Sequence, residues 1–143
     1  MTRQQAIMEA MADVLKGITK ANDFLTDIGK KVREWEIGAD EDDLPFVDVR
    51  DTDEVTATVH GAHVWDMPLT IIVGCAGQTS RVEARKMTAD VYKAIGKYPT
   101  LKGLADRIRP STHKLQSVQG KSLVTAVIIK VVVTYSTDPW ASN

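Results

Sequence analysis

The stretch that decides the fold is SLVTAVIIKVVVT, residues 122–134. Most of its residues are valine, isoleucine or threonine, and β-branched residues of this kind favour strands. Because nearly every position is apolar, and not only every second one, the stretch predicts an interior strand covered on both faces. It is too short to cross a membrane as a helix, which needs about 20 apolar residues, and Lys130 interrupts it. The expected centre of the fold is therefore a sheet around this strand.

Two further segments predict amphipathic helices, and the first covers residues 2–18. Its apolar residues recur at the spacing of one helix face; they are Ile7, Met11, Val14 and Ile18. Thr2 followed three residues later by Gln5 fits a capping box, in which each residue's side chain bonds the other's backbone N–H. Gly17 lies near the expected end.

The second helix is predicted for residues 80–97, after a loop that contains glycine. Ser80 and Glu83 have the spacing of a second capping box, and Gly96 and Pro99 mark the end. The buried stripe of this helix is expected to be Ala84, Met87, Val91 and Ile95.

Short alternating segments predict the remaining strands, at residues 31–37, 46–50, 64–73 and 106–118. Residues 55–59 alternate well enough to extend or replace the second of these. Pro110 cannot donate a backbone hydrogen bond, so the strand at 106–118 is expected at an edge. The order is α-β-β-β-α-β-β, which predicts one α+β domain over residues 1–143, with two helices packed on a mainly antiparallel sheet.

Composition fits a globular domain, with 43% hydrophobic and 26% charged residues among 143. Cys75 is the only cysteine and cannot form an internal disulfide. Glu9 and Asp13 interrupt the place where a signal peptide would be apolar, so a cytoplasmic origin is expected and no membrane partner.

The net charge of −1 hides an asymmetry between the two halves of the chain. Residues 1–72 sum to −8 and residues 73–143 sum to +7. A bipolar chain can dock onto copies of itself through an acidic and a basic surface, although sequence halves need not be spatial halves. The residues predicted to form such a subunit interface are Asp40, Glu41, Asp42 and Asp43 on one side and Arg107, Arg109, Lys114 and Lys121 on the other.

The loop from Cys75 to Arg81 has the cysteine-to-arginine spacing of cysteine phosphatases, whose loop N–H groups hold phosphate. It resembles the low-molecular-weight tyrosine phosphatases, and Asp138-Pro139-Trp140 is similar to the segment that carries their general acid. In that family, however, the loop follows the first strand, whereas 74 residues precede Cys75 here. A helix start explains the same residues, so the phosphatase is only the less favoured alternative.

The other searched motifs predict no catalytic, cofactor-binding or metal-binding residue. His60 and His63 are three residues apart, which on a strand turns them to opposite faces, and they are expected to be solvated. The basic residues from Arg107 to Lys121 lack interleaved aromatic residues, so direct nucleic-acid binding is not expected.

The order of elements as a whole resembles the tail terminator proteins of tailed bacteriophages, also called tail completion or minor tail protein U-like. The resembling features are the opening helix, the glycine loop before the second helix, and a last strand that ends in VTYSTDP, residues 133–139. The resemblance implies a structural virion protein and no enzyme. It implies a ring, usually of six copies, that caps the tail tube, stops its polymerisation and joins the tail to the head–neck complex.

The expected partners are thus other copies of the chain, the tail tube protein and the head–neck connector protein, in the virion tail after assembly in the host cytoplasm. A tail tube subunit, a neck connector or another self-assembling or adaptor domain stays open as the alternative.

Overall fold

The computed structural model of the chain describes residues 2–34, 44–52 and 54–140. In this part of the chain there are two α-helices, two short 3-10 turns (Lys20–Asn22 and Ile28–Lys30) and six strands. In chain order the helices and strands are α1 Arg3–Lys16, β1 Val32–Glu34, β2 Phe46–Asp51, β3 Val55–Val59, β4 Ala62–Ala76, α2 Ser80–Gly96, β5 Arg107–Gln119 and β6 Leu123–Thr137. The predicted α+β class is confirmed, with one more strand before α2 than expected.

The six strands form one sheet in the order β1-β2-β4-β6-β5, and β3 pairs with the first part of β4. Only the β1–β2 pair is parallel. β4 and β6 are paired from His63 with Thr137 to Ala76 with Val124, and these two long strands form the centre of the sheet. The strand predicted from residues 122–134 is therefore an interior strand, as expected.

Both helices pack on the same face of the sheet, which we call the covered face. Side chains alternate along a strand, so every second residue of β4 and β6 points to this face. Most of these side chains are buried. The buried apolar ones include Met67, Leu69, Ile71, Val73, Val127, Ile129, Val131 and Val133. The helices close the core with Ile7, Met8, Met11 and Leu15 from α1 and Ala84, Met87, Val91 and Ala94 from α2.

The opposite face, which we call the open face, carries the remaining side chains of β4 and β6. Its apolar members stay partly exposed; they are Val64, Pro68, Ile72, Val124, Ile128 and Val132. The prediction that residues 122–134 are covered on both faces is therefore wrong. The strand is apolar on two faces, but the helices bury only one of them.

The segment between α1 and β1 is fixed by one glycine and one carboxylate. The Gly29 N–H donates to the Ile18 carbonyl at 2.9 Å, and a Cβ at this position would lie 2.6 Å from the carbonyl oxygens of Leu15 and Lys16. Asp90, buried on α2, accepts hydrogen bonds from the Thr26 N–H at 2.8 Å and the Thr26 hydroxyl at 2.6 Å, as well as one from the Leu25 N–H. These contacts tie the loop to both helices.

The two helix starts differ from each other. Thr2 is the N-cap of α1, and its hydroxyl accepts from the Gln5 N–H at 3.1 Å, which is one of the two bonds of the predicted capping box. The Gln5 side-chain amide donates to Glu9 at 3.3 Å. The prediction that Ser80 caps α2 is wrong, because Thr79 is the N-cap residue and its side chain makes no capping hydrogen bond. Ser80 is instead buried and its hydroxyl bonds that of Thr125 on β6 at 2.7 Å, so a tertiary hydrogen bond replaces the local one.

Two strand predictions also need correction. Residues 55–59 neither extend nor replace β2, because they form β3 and make a hairpin with β4. His60 and Gly61 turn the hairpin with φ of 49° and 79°, as a tight two-residue turn requires. The strand predicted over 31–37 is described as far as Glu34, and its remaining residues lie outside the described part of the chain.

Candidate subunit-contact surfaces

Three of the predicted basic interface residues lie in a row on β5. Arg107, Arg109 and Lys114 pair in register with Thr134, Val132 and Ile128, so all three stand on the open face. In a regular strand Lys114 would be on the face opposite to Arg107 and Arg109. A register shift between Pro110 and Thr112 inserts one residue and brings Lys114 to the same face. The structure thus joins the open face to a basic edge.

The other predicted interface residues are not brought to this row. Lys121 is exposed in the turn between β5 and β6, at the far end of the strand from Arg107. The acidic run Asp40, Glu41, Asp42 and Asp43 lies outside the described residues, so its predicted contact with a neighbour stays a prediction.

The outer edges of β3 and β5 are a second candidate surface. In the part of the chain that the structure describes, no strand pairs with either of them. β5 is 13 residues long and mostly exposed, whereas β3 has the uncharged sequence VTATV and ends at Val59, which is 45% exposed. Unpaired backbone N–H and C=O groups on such edges are templates for pairing with another chain.

An aromatic groove of about 620 Å³ is a third candidate, and the sequence did not predict it. It lies on the covered side of the sheet, between the start of α1 and the β3–β4 hairpin. Its main lining side chains are Glu54, His63, Trp65, Tyr135 and Trp140. Trp65 and Tyr135 are a cross-strand pair with nearly parallel rings 6.4 Å apart, and Trp140 is 92% exposed.

Glu54 is the only carboxylate that lines this groove among the described residues. Both of its oxygens accept from the Tyr135 hydroxyl, at 3.0 and 3.1 Å. Burial raises the pKa of Glu54, the Tyr135 hydrogen bond lowers it, and the charge of Asp51 raises it. Burial and the neighbouring Glu54 likewise raise the pKa of Tyr135. Within the part of the chain that the structure describes, no lysine or arginine lines the groove beside this carboxylate.

The groove was missed because its members come from four segments that are distant in sequence. The tryptophans and the tyrosine were visible as residues, but only the register of Trp65 with Tyr135 and the turn after Thr137 bring them together. Trp140 contacts His63 edge-on, with ring centres 5.2 Å apart. Nothing in their spacing along the chain could have shown this.

The Cys75 loop has features that disfavour a phosphatase site. Cys75 is buried, its thiol donates to the Ser80 carbonyl at 3.1 Å, and burial raises its pKa, with the Glu83 charge adding to the effect. A nucleophilic cysteine needs a lowered pKa. The Gly77 and Ser80 N–H groups donate to the backbone carbonyls of Leu123 and Gly77, so neither points freely into a phosphate cradle. Arg81 bonds the Ser117 hydroxyl at 3.2 Å.

His60 lies exposed in the hairpin turn, whereas His63 is partly buried beside Trp65 and Trp140, so only the first has the solvated position expected for both. Within the described ranges, no group of three or more His, Cys, Asp or Glu side chains could hold a metal ion.

Comparisons with known proteins found no family model and no curated sequence that matches the chain. Neither described helix is long and apolar enough to cross a membrane. The surfaces themselves are thus the basis for a functional proposal.

Proposed function

We propose that the chain is a structural subunit that assembles head-to-tail into a closed ring, as the resemblance to phage tail terminators implies. The observation that carries this proposal is that β3 and β5, on opposite sides of the β4–β6 pair, each have an outer edge with which no described strand pairs. The two edges differ, since one is short and uncharged and the other is long and basic. Edges that differ favour contacts between unlike surfaces, and such contacts form a ring when the rotation from copy to copy closes on itself.

The open face supports the same proposal. Its partly exposed apolar residues on β4 and β6 are neighbours across the sheet, as Ile72 pairs with Ile128 and Pro68 with Val132. The polar pair of Thr70 and Lys130 lies between these two apolar pairs. Apolar pairs left partly exposed on one sheet face are candidates for a protein contact. In the proposed ring it supplies the surface for the tail tube protein or the head–neck connector, with the basic row of β5 at its border.

The ring would cap the tail tube, stop its polymerisation and join the tail to the head–neck complex. A tube subunit or a neck connector could use the same surfaces, and the mode of growth separates these alternatives. A tube subunit forms stacks of open length, whereas a terminator forms one ring and then stops. The cysteine phosphatase is the least supported alternative, given the raised pKa of Cys75.

The test combines native mass spectrometry of the purified full chain with electron microscopy of tail tubes. We expect one closed oligomer of fixed copy number, six if the resemblance holds. Adding the chain to polymerising tube protein should shorten the tubes and place a cap at their ends. A strict monomer at all concentrations, with no effect on tube length, would contradict the proposal, and open stacks would favour a tube subunit.

A further inference from the structure

Lys130 stands near the centre of the open face, although it belongs to one of the central strands of the sheet. Its register partners are Thr70 of β4 and Thr112 of β5. Along β6 its neighbours on the same face are Ile128 and Val132. Lys130 is exposed. The centre of this face is therefore a charge and not an apolar side chain.

The residues diagonal to Lys130 differ between the two neighbouring strands. On β4 they are Pro68 and Ile72. On β5 they are Arg109 and Lys114. Each of them pairs in register with the β6 residue two places before or after Lys130. The face is thus apolar on the β4 side of Lys130 and basic on its β5 side. We call this group the Lys130 block, and its members are Pro68, Thr70, Ile72, Ile128, Lys130, Val132, Arg109, Thr112 and Lys114.

The cations of the Lys130 block stand close together without a carboxylate between them. Diagonal neighbours on one face of a sheet are about 7–8 Å apart, which is within reach of long side chains. The charges of Lys130, Arg109 and Lys114 therefore repel one another. The strand register puts no Asp or Glu at a position of the block. An anion from outside the subunit would relieve this repulsion.

Among the described residues, Asp48 and Asp66 are the carboxylates that the strand register puts on the open face. Asp48 is buried and bonded by an arginine of its own strand. Asp66 lies 3.8 Å from Arg109. Neither Lys114 nor Lys130 forms an ion pair with a described residue, and both are exposed. These two lysines are thus available to an outside anion.

The apolar side of the block indicates what kind of anion fits. Ile72 with Ile128 and Pro68 with Val132 are partly exposed pairs, and burying them against apolar groups of a partner is favourable. A phosphate backbone offers charge but little apolar surface. The block also has no aromatic side chain on which a nucleic-acid base could stack. It therefore fits a protein surface better than a nucleic acid.

We propose that the open face docks a partner protein whose contact surface carries carboxylates beside an apolar strip. The carboxylates pair with Lys130, Arg109 and Lys114, while the apolar strip covers the β4 side of the block. That this partner is the tube protein or the connector rests on the proposed function. The docking surface adds the chemistry by which the partner is recognised, and it gives Lys130 a role that its sequence position did not indicate.

The test measures binding of labelled probes to the full-length chain by fluorescence anisotropy. The first probe is a helical peptide whose leucine stripe is bordered by glutamates, about 20 residues long because shorter isolated helices are marginal. The second peptide has lysine in place of each glutamate, and a short DNA duplex supplies phosphate without an apolar strip. The glutamate peptide should bind about tenfold more tightly, or more, than either of the other two probes.

Charge reversal in the block should exchange this preference. Lys130→Glu and Lys114→Glu should each weaken binding of the glutamate peptide about tenfold or more, because like charges then meet in the contact. With both changes in one chain, the lysine peptide should bind more tightly than the glutamate peptide. Arg85→Glu, at an exposed site on α2, is the matched control and should change either affinity less than about twofold. If circular dichroism shows that Lys130→Glu is unfolded, Lys114→Glu alone decides the question.

The ring and the docking surface fail in different ways. A chain that forms a ring but binds both peptides equally, or neither of them, overturns the docking surface alone. Tighter binding of the DNA duplex than of the glutamate peptide also overturns it and would assign the face to a nucleic acid. A chain that shows the expected peptide preference and its reversal, but stays a strict monomer at all concentrations, overturns the ring alone.

Discussion

The covered and open faces of the sheet are made from the same two strands but differ in what they hold. Ile71 and Ile129 point into the helix layer and are buried, while their neighbours Ile72 and Ile128 pair with each other on the open face and stay partly exposed. A strand that is apolar on both faces therefore does not need two layers of its own chain. Among the described residues, one face builds the core with the helices and the apolar residues of the other stay partly exposed.

The largest expected difference between the faces comes from the adjacent residues Ile129 and Ile128. Ile129→Ala should lower the free energy of unfolding by about 3–4 kcal/mol, because it leaves a cavity under the helices. Ile128→Ala should lower it by about 1 kcal/mol or less, because that side chain already contacts solvent. Urea unfolding of the chain at a concentration where it is monomeric measures both.

The matched pair Ile71→Ala and Ile72→Ala is the control on β4, with the same order expected. Equal losses for Ile128→Ala and Ile129→Ala would show that the open face is covered in the monomer after all. In that case the contact surface for a partner would have to lie elsewhere.

Two buried carboxylates sharpen the comparison, because Asp90 supports the covered face and Asp48 belongs to the open face. Asp90→Ala should cost about 3 kcal/mol of stability, since it leaves the Thr26 and Leu25 donors without a buried partner. Asp48 accepts from Arg50 through one oxygen, and its Oδ1 has no hydrogen-bond partner among the described residues.

Asp48→Ala should therefore cost only about 1 kcal/mol, because Arg50 is 29% exposed and water can replace its partner. Thermal unfolding of the two variants beside the wild type gives the comparison. A larger loss of thermal stability for Asp48→Ala than for Asp90→Ala would mean that Asp48, and not Asp90, contributes more to the stability of the fold.

The fold class was predictable because the spacing of apolar residues identifies each helix and strand locally, and glycine and proline residues mark their ends. The apolar spacing that begins at Ile7 and Met11 predicts α1, although Ile18 lies beyond its end at Lys16. Pro110 correctly predicts that β5 is at an edge. What could not be predicted depends on tertiary contacts. Ser80 stands where the sequence predicts the N-cap of α2, but its hydroxyl forms a hydrogen bond with that of Thr125 on β6.

The candidate surfaces were predictable only where they follow a single strand. Arg107, Arg109 and Lys114 were chosen from sequence, but a strict alternation would have put Lys114 on the face opposite to Arg107 and Arg109; the bulge at Pro110 puts all three on one face. The groove around Glu54 and Trp65 has no sequence signature, since strand register creates it.

A smaller effect is expected at the helix starts that frame the covered face. Thr2→Ala should destabilise the chain by about 1 kcal/mol, because the Gln5 N–H loses the hydroxyl that caps it. Thr79→Ala is the matched change at α2 and should cost only a few tenths of a kcal/mol, since Thr79 makes no side-chain cap bond. Comparable losses in urea unfolding would mean that Thr79 does cap its helix.

The smallest expected effect is the pH dependence of stability that the Glu54 carboxyl causes. Its pKa in the folded monomer is raised above the ordinary value of 4.5, so the folded chain binds this proton more tightly than the unfolded chain does. The extra stability is present below the ordinary pKa and is lost as the pH rises through the raised value. The side chain that Glu54→Gln introduces does not titrate, so the melting temperature of the wild type should fall relative to that of the variant as the pH rises above the ordinary pKa of 4.5.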